Sequence, residues 1–180
     1  MSTILYATTR EGYFCKKDSI DGLVDDLSWM RIPTDRKLFK QLTTLHAKQV
    51  LIAGYKTVRT LPPLPGRVLV SISTARTRGI ELKNALQRYP ESIVIGGASV
   101  IKSCMHFAHR DFVNSVMTVR LPIKINPKED ASNFVIDPLE EYKNNGILKL
   151  DMQFFMHTDN FEHPTVLLEI WRPTYARDTD

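Results

Sequence analysis

The chain has too few cysteines to staple a fold: Cys15 and Cys104 are the only two in 180 residues, and they form no spaced pair. That argues against a disulfide scaffold or a thiolate metal cluster and suits a reducing compartment. No apolar run is long enough to span a bilayer, and Met1-Ser2-Thr3-Ile4-Leu5-Tyr6 lacks the basic start and apolar core of a secretory leader. The expectation is a cytoplasmic protein with no membrane partner. Although the net charge is +4 and the pI about 9.1, the Lys and Arg residues are scattered. Without a basic run or an aromatic-interleaved basic patch, no nucleic-acid partner is expected. The spaced glycines of a dinucleotide fingerprint, the P-loop lysine and the nucleophile elbow are all missing. His157, Asp159 and His163, and Cys104, His106 and His109, lack paired ligand spacing, so no metal is expected.

What is there reads as an ordinary globular chain, 43% hydrophobic and 24% charged, of a length for one domain spanning 1–180. Apolar runs predict strands at 4–7, 49–53, 67–72, 92–95 and 112–121, and amphipathic spacing predicts helices at 34–43, 80–89 and 98–108. Segments 152–156 and 165–171 read as a closing antiparallel hairpin through a loop that holds Asn160 and Pro164. Between the first strand and first helix, 8–28 reads as a long polar connection, with Gly12 and Gly22 in it and Asp21, Asp25 and Asp26 towards its end. A connection of that length inside a compact domain is usually functional or mobile. Alternating strands and helices give the fold class: α/β, a single domain with a central, mostly parallel mixed sheet flanked by helices and ended by an antiparallel hairpin.

Candidate chemistry collects at helix starts and strand ends. Pro33 and Thr34 read as a helix start with Thr34 at the cap, and Asp35, Phe39 and Thr43 then share one helical face. A carboxylate on an aromatic stripe, with Trp29 upstream, is either an anion placed at a helix N-terminus or a functional acid. Gly96-Gly97-Ala98-Ser99 leads from a buried strand into a helix, a turn that lets backbone N–H groups approach a phosphate. Gly54-Tyr55-Lys56-Thr57 repeats that design, and Ser73, Thr74, Arg76 and Arg78 follow the third strand. Two such turns in one α/β sheet suggest a ligand with several phosphates lying across the strand ends.

The ordered series of Tyr6-Ala7, a long loop, Leu27-Ser28-Trp29, an acidic helix, Gly54-Tyr55-Lys56-Thr57, Leu64-Pro65-Gly66-Arg67 and Ile95-Gly96-Gly97 resembles dihydrofolate reductase, its longer bacteriophage and bacterial members included, from Ile4 to about Trp171. The resemblance implies that Asp35 anchors the pterin and promotes its N5 protonation through a water beside Trp29, with Leu27 covering the nicotinamide and pterin. It implies that Leu5, Tyr6 and Ala7 line the pterin pocket, with Phe39 stacked on the rings, Thr43 one turn on, and Leu61 and Leu64 along the benzoyl group. Arg67 then grips the glutamate α-carboxylate, a task suited to a guanidinium fork. For the cofactor, NADPH, it implies Ala7; Gly54, Tyr55, Lys56 and Thr57; Ile72, Ser73 and Thr74; and Ile95, Gly96, Gly97, Ala98, Ser99, Val100 and Ile101, with Ile95 between the two ligands and so lining the substrate as well. The family joins its two glycines by a cis peptide.

The chain departs from the pattern in places. Tyr55 stands for the usual arginine near the 2′-phosphate, Ser28 for the proline before Trp29, Cys15 for a common glycine and Ile101 for a frequent tyrosine. One extra residue separates Trp29 from Asp35, a spacing shared with the longer bacteriophage members. The threonine that partners the anchoring carboxylate falls within 115–119, where Thr118 is nearest and Val119 is the more natural alignment. The expected activity is NADPH-dependent reduction of 7,8-dihydrofolate to tetrahydrofolate, in support of one-carbon and thymidylate synthesis, by a monomer that binds dihydrofolate and antifolates such as methotrexate and trimethoprim. Two rivals stand beside it: a pyrimidine or pterin reductase of riboflavin-type metabolism, and a ligand-binding structural protein with this fold and little catalysis.

Overall fold

The computed structural model describes residues 1–16, 33–73, 79–123, 133–157 and 165–175. A seven-stranded sheet forms its centre, in the order β4-β3-β5-β1-β6-β9-β8. Its parallel part comprises β4 (Arg67–Ile72), β3 (Gln49–Gly54), β5 (Ile93–Gly96), β1 (Ser2–Thr9) and β6 (Val113–Leu121). The last two strands, β9 (Thr165–Pro173) and β8 (Leu148–His157), add on antiparallel. The mixed sheet and C-terminal hairpin expected from the sequence are therefore present, with both hairpin strands longer than their apolar cores suggest.

Helices α1 (Pro33–Leu42), α2 (Tyr55–Thr60), α3 (Leu82–Arg88), α4 (Ala98–Cys104) and α5 (Glu140–Asn144) complete the described elements, with one 3₁₀ turn at Arg110–Phe112. Pro33 takes the first helical position of α1, where its missing N–H costs nothing, and Asp35 lies in the first turn with Lys40 in the last, each matched to the dipole. Thr34 thus falls inside the helix rather than at its cap. Helix α4 ends at Cys104, short of the expected 108, because the chain turns at Met105 and His106.

The connection expected over 8–28 is partly structured. Thr8 and Thr9 extend β1, and β2 (Tyr13–Lys16) pairs antiparallel with β7 (Phe134–Ile136) in a separate two-stranded sheet. The rest of that connection, and with it Leu27, Ser28 and Trp29, lies outside the described residues, as do Thr74, Arg76, Arg78, Asp159, Asn160, His163 and Pro164.

Strand alternation divides the core in two. On one side of β1, Ile4 and Tyr6 pack with Leu82 and Leu86 of α3, Ile101 of α4 and Leu139. On the other, Leu5 and Ala7 meet Leu38, Phe39 and Leu42 of α1, with Leu51, Ile95 and Val119. Burying side chains such as Ile4, Leu51, Ile52 or Leu86 fully contributes about 1.5–3 kcal/mol each and fixes the register that sends alternate β1 residues to opposite faces.

Candidate active site

The α1 face of the sheet gathers the residues of the substrate expectation. Asp35 and Phe39 lie one turn apart on α1, Thr43 follows just past its end, and the Thr43 hydroxyl donates to the Phe39 carbonyl (2.7 Å). Arg67, at the start of β4, donates from Nη1 to Thr43 Oγ1 (3.0 Å). Its Nε is buried and has no hydrogen-bond partner among the described residues, a donor left for an acceptor that these residues do not supply. Leu5, Ala7, Phe39, Leu64 and Ile95 share the apolar cluster beneath α1, while Leu61 caps the C-terminal end of α2. The result is an apolar floor with an acid at one end and a guanidinium at the other.

Burial raises the Asp35 carboxyl from its ordinary 3.8 to about 6, with Arg36 beside it pulling the other way. Among the described residues no hydrogen bond to this carboxylate is found. An acid near 6 can hold or release a proton close to neutral pH, which is what a positioned proton donor needs.

Two expected pocket residues lie elsewhere. Tyr6 and Thr118 are register partners on β1 and β6, and both point to the face opposite Leu5 and Ala7. Tyr6 Oη donates to Asp137 Oδ1 (2.6 Å), and Lys143 Nζ reaches Thr118 Oγ1 (3.0 Å) and Asp137 Oδ2 (2.7 Å). The Lys143 ammonium also lies 5.4 Å from the Tyr6 ring centroid and 4.9 Å from that of Trp171. Neither Tyr6 nor Thr118 offers its side chain to the α1 face, so Thr118 does not partner Asp35. The register partner of Ala7 on that face is Val119, which has no hydrogen-bonding side chain.

The two glycine turns meet. Ala53 and Gly96 are register partners of β3 and β5, so the chain leaves both strands at one level. The Gly96–Gly97 peptide is cis, as the family resemblance implies, and Gly96 has φ +146°, a conformation that side chains with a Cβ rarely adopt. A Cβ on Gly54 would lie 3.3 Å from Val100 Cγ2, and one on Gly97 the same distance from Thr57 Oγ1. Glycine there keeps the backbone within reach of a ligand and lets Thr57 wedge against the second turn. Lys56 and Ser99 are exposed at the mouth, Ala98 and Val100 half-buried, and the Tyr55 ring sits 5.8 Å from the Arg59 guanidinium. Ile101 is fully buried in the core under α4. Ile72 and Ser73 close the group at the end of β4, where Gly79 passes so close that a Cβ would stand 2.4 Å from the Ser71 carbonyl oxygen. Paired glycines, a hydroxyl and a lysine beside them, and a guanidinium across the floor whose Nε has no partner among the described residues fit a phosphate-bearing cofactor and a carboxylate-bearing substrate.

The sequence did not point to the Tyr6–Asp137–Lys143–Thr118 network. Its only trace is a lone acid and base six residues apart, a pattern that exposed surfaces share.

Comparison with known proteins agrees with this geometry. The family model for dihydrofolate reductase matches residues 14–158. Among solved structures, "Dihydrofolate reductase from Enterococcus faecalis complexed with NADP(H) and RAB-propyl" has 17% identity and a TM-score of 0.67, over 97% of this chain and 96% of that one. Curated protein sequences give no match. No helix among the described residues is long and apolar enough to cross a membrane. The chain belongs to the dihydrofolate reductase family.

Proposed function

We infer that this chain reduces 7,8-dihydrofolate to 5,6,7,8-tetrahydrofolate with NADPH. The observation that carries the reading is Asp35: a desolvated carboxyl raised to about 6, heading an apolar stripe that ends at the Arg67 guanidinium. The family match supports the reaction class, and the solved neighbour, itself complexed with NADP(H), supports the cofactor.

In this reading Asp35 binds the polar edge of the pterin and promotes N5 protonation through a water, the roles of Trp29 and Leu27 being those that the family resemblance implies. Phe39, Leu5, Ala7, Leu61 and Leu64 hold the pterin and benzoyl rings, and Arg67 takes the glutamate carboxylate while Thr43 fixes its Nη1. NADPH, when bound, supplies the hydride. Gly54, Lys56, Thr57 and the Gly96–Val100 turn would hold its phosphates, with Ser73 and Thr74 at the ribose. Tyr55, in place of an arginine, leaves the 2′-phosphate to Lys56, Ser73 and Thr74. The protein's contribution is positioning two rings in contact in a site that excludes water.

The test is oxidation of NADPH, followed spectrophotometrically with dihydrofolate, with and without methotrexate. Dihydrofolate-dependent oxidation that methotrexate abolishes is expected. Antifolate binding without turnover would favour the structural-protein rival. Reduction of a pyrimidine of the riboflavin route in place of dihydrofolate would favour the other rival. Neither draws support from the comparisons, and a substrate without a glutamate tail leaves Arg67 without its partner.

A further inference from the structure

The sheet ends in two unlike edges. At β4 a second segment covers part of the edge: Ile80 N–H donates to Ser71 O (3.0 Å), Ser73 N–H donates to Ile80 O (3.2 Å), and Ile72 and Ile80 form a parallel bridge. β8 has no such cover among the described residues. It runs ten residues and, among the described residues, pairs only with β9, which leaves its other backbone edge without a strand partner there.

That strand also carries four of the ten large apolar side chains found exposed among the described residues: Leu150 (42%), Met152 (45%), Phe154 (46%) and Phe155 (66%). Register places them on both faces. Met152 and Phe154 lie on the side of Ile170 and Leu168, and Phe155 on the side of Leu167. A partner resting on one face would cover only part of this set, whereas a strand added at the edge covers both parts and satisfies the backbone. From Met152 to His157 there is no Lys, Arg, Asp, Glu, Pro or Gly, the residues that normally blunt an edge.

We propose that β8 is a self-association edge, on which a second copy of this chain pairs its own β8 antiparallel about a two-fold axis at Phe154. The charges select this arrangement. Lys149 and Asp151 both lie near one end of the strand, so a parallel in-register pairing would stack each on its like, whereas the two-fold separates them. With Phe154 on the axis, Met152 faces Met156 of the second copy, Gln153 faces Phe155, and Asp151 faces His157. The same patch serves on both copies, so the interface closes as a dimer with one continuous sheet and leaves no free β8 edge for further growth. The proposal differs from the monomer expected from the sequence.

Sedimentation velocity on the full chain at micromolar concentration tests it. A dimer is expected, and Phe154→Lys and Phe155→Lys should each weaken association by about thirtyfold or more while leaving the far-UV spectrum and NADPH oxidation unchanged, since neither residue touches the proposed site. Register is read by cross-linking. Phe154→Cys should form a disulfide-linked dimer on mild oxidation, whereas Gln153→Cys should do so only when mixed with Phe155→Cys, with the parent chain controlling for Cys15 and Cys104. A parent that stays monomeric, association that either lysine leaves intact, open-ended oligomers, or a disulfide pattern of another register would each overturn the proposal.

Discussion

Asp35 and Asp137 are both withdrawn from water, and they sit on opposite faces of the same sheet. Asp137 receives three hydrogen bonds, from Tyr6 Oη, the Leu139 N–H and Lys143 Nζ, and its side chain is fully buried. Asp35 receives none among the described residues, and burial pushes its carboxyl up to about 6. A satisfied buried acid holds structure together. A half-buried one whose carboxyl is raised can take up or give a proton near neutral pH, so the two faces of β1 carry acids of different kinds, one tied into structure and one left to titrate.

Changing each acid breaks the comparison differently. Asp35→Asn should lower turnover at neutral pH by about 10²–10⁴-fold, read as NADPH oxidation, because the amide hydrogen-bonds but delivers no proton. The parent's rate of the chemical step should fall as pH rises through about 6, and the variant's should not follow it. On the structural side, Lys143→Met leaves Asp137 buried without its cation, so chemical denaturation should show a loss of about 3–5 kcal/mol. Burial already holds the Lys143 ammonium below its usual range against the pull of Asp137, and the other cation near that acid, Arg120, is paired with Glu169 at 2.8 Å.

A sharper test follows Asp35 through the pH dependence of stability. Between 3.8 and about 6 the folded chain keeps a proton on Asp35 that the unfolded chain has released. This group's contribution to stability is therefore greatest below that window and falls as pH rises through it. Asp35→Asn removes the dependence and should stabilise the protein at neutral pH by on the order of 2 kcal/mol, the difference fading towards pH 4 in urea titrations. The smallest effect is expected for Tyr6→Phe, which removes one of three donors to Asp137 and should cost about 1 kcal/mol with little change in KM for dihydrofolate. A large KM change would return Tyr6 to the substrate face.

How much of this was legible depended on the range of the interactions involved. β4 falls on 67–72 as expected because Pro65 and Gly66 punctuate its start, and β3 and β5 end at glycines that the sequence marks. β2, β7 and α5 are three to five residues long, too short for a periodicity, and β2 and β7 are held by pairing between segments far apart in the chain. Resemblance implied Leu5, Tyr6 and Ala7 as one lining, yet strand alternation turns the Tyr6 side chain to the face opposite Leu5 and Ala7. The same parity moves Thr118 from Asp35 to Lys143. The Arg67–Thr43 bond had a visible basis, since both residues belong to the expected substrate set, but only tertiary packing reveals the Nε left over.

Thr57 ties together turns that lie about forty residues apart in sequence, its side chain against Gly96 and Gly97 while Gly54 approaches Val100. A ligand seated across that seam would act as a clasp between two stretches of chain that neighbouring strands otherwise join. Cofactor at a hundred times its dissociation constant should therefore add about 2.7 kcal/mol to folding. The gain should register first as slower proteolytic cutting between β3 and α4, so the seam offers a way to find the natural nucleotide by protease resistance alone.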